Sequence, residues 1–177
     1  LGIQGTIGKY FVTNVNYWRD KTLFSFSVYD LKTVHVRNHH NPDKSFIISS
    51  KETGNYILLS NDSSGIEESK IDREALMRYL SYLNYVEYIG GVMNISDSKK
   101  DSILNSVPIS SISIRSNQEP ETHVSFYPRK YKDENNQLKT DYNYLYGEIN
   151  HNQELVLLKY VDTDPLLKDI DYFIKPE

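Results

Sequence analysis

His35, His39 and His40 crowd one stretch of the chain, at what reads as the tip of a β-hairpin. Imidazole is a common ligand of Zn²⁺. Three of them would leave one coordination position open for water, the arrangement of a metal-dependent hydrolase. Strand alternation argues the other way. His35 falls at an outward position, His39 and His40 fall in the turn, and no partner stands in view to orient their rings. A solvated hairpin tip is the better reading, with no metal and no cofactor. The three histidines are the sole metal candidates.

The carboxylates Glu67/Glu68, Asp162/Asp164 and Asp20 could do general acid–base work if buried in unlike environments. Asp20 and Asp164, however, each precede a segment that reads as helical and are accounted for as N-caps. There is no phosphate loop, no nucleophile elbow and no pair of helical histidines flanking a glutamate. No catalytic residue is expected.

Tyr79, Tyr82, Tyr85 and Tyr88 recur at every third position. On a helix of 3.6 residues per turn that step drifts by about 60° per repeat, so the tyrosines wind off one face. Some must be core and others half exposed. An exposed tyrosine makes good contact surface because it joins an apolar body to a polar tip. Tyr17, Trp18, Tyr82 and Tyr85 are therefore the expected interaction surface.

The elements that would carry these residues are organised by an internal match. Adding 78 to each position of 31–48 aligns Val34 with Ile112, Val36 with Ile114, Arg37 with Arg115, Pro42 with Pro120 and Phe46 with Val124. His35, His39 and His40 fall on Ser113, Asn117 and Gln118, so a metal is not built into the repeat. The match predicts an α+β protein of two pseudo-repeats, residues 1–95 and 96–177, around one shared core. Each repeat is a short helix, antiparallel β-strands and a covering helix.

Along the chain, Lys9–Thr13 reads as a first strand and Asp20 as the cap of a short helix that turns Leu23, Phe24 and Phe26 inward. Thr33–Arg37, Ser45–Ser49 and Tyr56–Leu59 read as strands. The main helix runs from Asp72 to Tyr88, with Leu76, Tyr79/Leu80, Leu83 and Val86 as its apolar stripe, and Gly90-Gly91 stops it. A second short helix spans Ser98–Asn105. Strands follow at Ser111–Arg115 and His123–Tyr127, then an exposed loop at Lys130–Tyr142. Tyr144–Ile149 and Glu154–Tyr160 pair across Asn150-His151-Asn152-Gln153. A short helix begins at Asp164-Pro165, and Tyr172-Phe173-Ile174 docks on the core.

Hydrophobic content of 38% with 25% charged residues is globular rather than disordered. A net charge of −4 with interspersed signs advertises no basic face for nucleic acid. With no cysteine, there is no disulfide and no thiolate metal site. Ala75 is the sole alanine, while Asn, Ile, Tyr, Lys and Ser abound; their AT-rich codons point to a low-GC bacterial genome. The start Leu1-Gly2-Ile3, with neither initiator methionine nor signal peptide, reads as processed or trimmed.

The segments Tyr17–Phe24, Pro42–Phe46, Tyr79–Tyr82 and Asp164–Leu167, in that order, resemble uncharacterised Bacteroidetes proteins carrying the domain of unknown function numbered 4340. Members of that family are lipoprotein-like or membrane-tethered and face the periplasm, and a related domain occurs in auxiliary subunits of gliding-associated ABC transporters. The resemblance implies a cell-envelope protein whose anchor precedes Leu1, with no established activity and no catalytic residues to carry over. The leading expectation is a non-enzymatic interaction or accessory module with a protein partner in the envelope, serving a transport or surface assembly. The rivals are a hydrolase built on the histidines and a small-ligand or glycan binder using a cleft between the repeats.

Overall fold

The computed structural model describes residues 19–52, 54–93 and 95–176. Its frame is an antiparallel sheet built by alternation. In β2 (Leu31–Asn38), Val34 and Val36 point to one side. Phe46 and Ile48 do so in β3 (Phe46–Glu52), and Tyr56 and Leu58 in β4 (Asn55–Ser60). The same phase continues through β7 (Ser110–Ser116), β8 (Thr122–Lys132), β9 (Leu138–Ile149) and β10 (Leu155–Lys159). Two short pieces complete the strands before β7. β5 (Val86–Glu87) pairs with β1 (Thr22–Phe24) in a separate ribbon, and β6 (Gly90–Gly91) lies on the edge beside β10. The eight strands of the large sheet lie in the order β4-β3-β2-β7-β8-β9-β10-β6.

One face of the sheet is closed by α1 (Arg73–Tyr82), the β1–β5 ribbon and the C-terminal turns. α1 starts where expected, because the Asp72 carboxylate accepts the N–H of Glu74 and of Ala75 at 3.0 and 3.1 Å. Its residues Ala75, Leu76, Tyr79 and Leu80 are buried against the strands. Phe46, Tyr79 and Phe173 meet edge to face at the centre, and the Tyr79 hydroxyl donates to the Leu166 carbonyl at 3.2 Å. On the other face a smaller core of Tyr127, Tyr146 and Leu155 is roofed by Ile103 and Leu104 of α2 (Asp97–Leu104). Gly147 is needed where β9 passes β10, since a Cβ there would sit 2.8 Å from Leu158 Cδ1.

The expected α+β architecture of two helix-covered repeats is overturned. Among the described residues the protein is mostly antiparallel β, 42% strand against 22% helix, with three short helices and one eight-stranded sheet. The segments that match at an offset of 78 are not separate units with their own helices. They are the β2–β3 and β7–β8 hairpins, which join edge to edge through β2 and β7, so that His35 lies opposite Ser113. Joining two small strand sets edge to edge removes two open edges and buries more than either set could alone. The closing helix expected near the C-terminus is reduced to α3 (Tyr160–Thr163) and the 3₁₀ turns Asp164–Leu166 and Ile170–Phe173.

Other elements also differ. The helix expected after Asp20 is strand β1, and the Asp20 carboxylate accepts the N–H of Thr22 instead of capping a helix. The main helix stops at Tyr82 rather than Tyr88, because β-branched Val86 is taken by pairing with β1. Gly90-Gly91 therefore forms an edge strand instead of a helix stop. The loop expected at Lys130–Tyr142 is the far end of the β8–β9 hairpin, turned by Asp133, whose carboxylate accepts the N–H of Asn135 and Gln137. The strand expected at Lys9–Thr13 lies outside the described residues.

Candidate functional site

α1 fixes the tyrosines by simple geometry. With Tyr79 and Leu80 turned to the sheet, Tyr82 falls on the helix flank and is 40% exposed. Tyr85 follows in the turn before β5 and is 63% exposed, whereas Tyr88 is buried and donates its hydroxyl to the Asp20 carbonyl at 2.7 Å. The Tyr85 hydroxyl donates to Glu87 Oε1 at 2.5 Å, and that carboxylate holds the phenol above its ordinary pKa. Facing the two rings is α3, with Val161 74% exposed beside Asp162 and Pro165. Together they enclose a cleft of about 390 Å³ floored by Val86. α3 is held by the Thr163 hydroxyl, which donates to the Lys159 carbonyl at 2.7 Å. The structure thus brings Tyr82 and Tyr85 together and adds a wall from the far end of the chain. Tyr17 and Trp18 lie outside the described residues.

The three histidines of the first hairpin do not converge. His35 stands in mid-strand across from Ser113, with Nε2 buried and lacking a hydrogen-bond partner. His39 Nε2 lies 3.0 Å from the Ser111 hydroxyl, and His40 is exposed on another cleft. Among the described residues no three histidines or carboxylates are placed to share a metal ion.

A different cluster escaped the sequence reading. Beside His35 and Ser113 in the same cross-strand row stands His123 of β8. Its Nδ1 lies 2.8 Å from Ser113 Oγ and its Nε2 3.1 Å from Ser125 Oγ. The β9–β10 turn puts Asn150 and His151 at φ +52° and +54°, the two left-handed positions of a tight hairpin turn. This aims the His151 ring onto His123, centroids 4.3 Å apart. The buried carboxylate of Glu148 accepts from the Tyr127 hydroxyl and the Gln153 N–H, each at 3.3 Å. A catalytic serine needs a base whose other nitrogen is held by a carboxylate. Both ring nitrogens of His123 face serine hydroxyls, so that serine–histidine–carboxylate order is not formed here and the groups make a half-buried hydrogen-bonded network. Its signal in the sequence was faint: His123 and Glu148 merely occupy outward positions of alternating strands.

These imidazoles make stability pH-dependent. Burial, followed by the Arg37 charge, lowers the pKa of His35 and of His39; burial, followed by His151, lowers that of His123. Facing His123, Glu148 and Glu121 oppose the shift without reversing it. A lowered histidine pKa means that the unfolded chain takes up protons first. Stability is therefore full above the ordinary histidine pKa of about 6.5 and is lost as pH falls through the lowered folded values. Melting temperature should decline as pH drops from about 7 towards 5, and His123→Gln should flatten that slope. The carboxylates held low, such as Asp62 at about 2 through the Ser60 and Ser64 hydroxyls, act only at more acid pH. A flat profile down to pH 5 would contradict the assignment.

The class of protein is thus a β-sheet domain with an aromatic cleft and no assembled catalytic centre among its described residues. The chain belongs to the family described as Domain of unknown function (DUF4340), which matches residues 2–106. That match takes in Tyr82 and Tyr85 and ends just after α2, well before α3 and Pro165, which supply the cleft's second wall. No curated protein and no solved structure is similar to the chain. No helix among the described residues is long and apolar enough to cross a membrane.

Proposed function

We propose that the chain is a non-catalytic interaction module of the bacterial cell envelope, tethered at the membrane and facing the periplasm, that docks a protein partner at the Tyr82–Tyr85–Val161 cleft. The envelope setting and the Bacteroidetes, lipoprotein-like origin rest on the family resemblance. The docking site rests on one observation: three exposed apolar side chains stand together on elements whose other faces are locked into the core. Rigid aromatics lose little freedom on binding, so such a face gains affinity cheaply. Glu87 and Asp162 border the cleft, so the complementary partner segment carries an apolar side chain next to a lysine or arginine. No observation favours a hydrolase over this reading.

The test is a photo-crosslinking amino acid placed at position 85 of the full-length protein in its host, with position 29 as control. Tyr29 is 70% exposed and lies on another part of the chain. A discrete adduct from position 85 and none from position 29 is expected. Equal capture at both positions, or none at 85, would remove the assignment.

A further inference from the structure

A larger cleft of about 590 Å³ opens between α2 and the β8–β9 hairpin, in the size range of small-molecule sites. Its walls are chiefly apolar, with Ile103 on the helix side and Tyr146 at the base. Val107 and Leu138, 59% and 63% exposed, add apolar surface to the same cleft. Lys99 and Lys130 come to it from opposite sides, Lys130 re-aimed by a break in β8–β9 register between Pro128 and Lys130. Neither lysine forms an ion pair among the described residues. His40 adds a third basic side chain, and among the described residues no carboxylate lines the cleft. In a chain of net charge −4 this is a local reversal of sign.

An apolar trough with unpaired cations on its rim matches one ligand chemistry. We propose that this cleft binds a single-chain amphipathic anion, its acyl tail against Ile103, Val107, Leu138 and Tyr146 and its carboxylate or phosphate head between Lys99 and Lys130. Removing the tail's methylenes from water supplies most of the affinity, and the lysines select the anion. This site is separate from the tyrosine cleft and does not depend on the partner proposed there.

The test is calorimetric titration of the purified protein with dodecanoate, with dodecyl phosphate and with uncharged dodecyl maltoside, all below their micelle concentrations. One molecule of anion bound per chain is expected, with the maltoside binding at least about tenfold more weakly. Comparing the two anions identifies the preferred head group, and saturable binding of either supports the site. Lys99→Gln/Lys130→Gln should weaken the anions about tenfold or more, and Leu138→Asp should abolish binding. All three positions are exposed, so melting temperature should hold and report intact folding. Equal binding of charged and uncharged amphiphiles, several molecules per chain, unchanged affinity in the double lysine variant, or no binding would each overturn the proposal.

Discussion

Phe173→Ala is expected to cost about 3–5 kcal/mol of stability, the range for removing a fully buried aromatic ring. The ring is wholly buried, 4.8 Å from Phe46 and 5.3 Å from Tyr79 between centroids, in edge-to-face contacts on both sides. Its backbone is pinned as firmly. The Phe173 carbonyl accepts from Asp72 N–H at 2.8 Å, Ile174 bridges to Ile71, and Lys175 N–H donates to the Lys70 carbonyl at 2.9 Å. An ion pair between Lys44 and Asp171 ties the same turn to the first hairpin. The surrounding cluster cannot collapse into the space without moving α1 off the sheet. Against a total of about 5–15 kcal/mol for a domain of this kind, the loss is severe. Urea denaturation should show a much lower midpoint with an unchanged slope, and a loss below about 1 kcal/mol would mean that the C-terminal turn is not part of the core.

Tyr82→Ala/Tyr85→Ala is expected to behave in the opposite way. Neither ring belongs to the stripe that α1 buries, and the one hydrogen bond of the Tyr85 hydroxyl goes to an exposed carboxylate. Removing both should cost little folding energy, because exposed side chains contribute little when truncated. The loss falls on binding. A truncated aromatic anchor typically costs about 2 kcal/mol or more, so partner affinity should fall by at least about thirtyfold.

The parts legible in the sequence are those decided locally. Val34/Val36, Phe46/Ile48 and Ile112/Ile114 alternate strictly and form strands near the expected bounds. Asp72 followed by the Leu76–Leu80 stripe announced the start of α1. What failed was decided at long range. Val86 reads equally well as the last turn of a helix, and only its pairing with β1, far back in the chain, makes it a strand. The polar run from Lys130 to Tyr142 carries no apolar alternation, since its side chains are largely exposed and it is held by backbone pairing, the Asp133 turn and ion pairs such as Lys139–Asp133. The match gives two like hairpins on one shared core, but the β2–β7 pairing that merges them into a single sheet has no local signature. The site divides in the same way. The stripe Leu76/Leu80/Leu83 put Tyr82 and Tyr85 on a helix flank; Tyr82 lies there, Tyr85 lies past the helix end, and Val161 and Pro165 reach them only through the path of β9 and β10.

The central claim is that the tyrosine cleft serves binding and is separable from the fold. The measurement that bears on it most directly is a paired determination on wild type and Tyr82→Ala/Tyr85→Ala. Thermal denaturation is followed on each, together with the affinity for the partner captured by crosslinking at position 85. The account predicts a melting temperature lowered by no more than a few degrees and an affinity reduced about thirtyfold or more. A collapse in melting temperature would make the rings part of the core, and unchanged affinity with an intact fold would place the partner elsewhere.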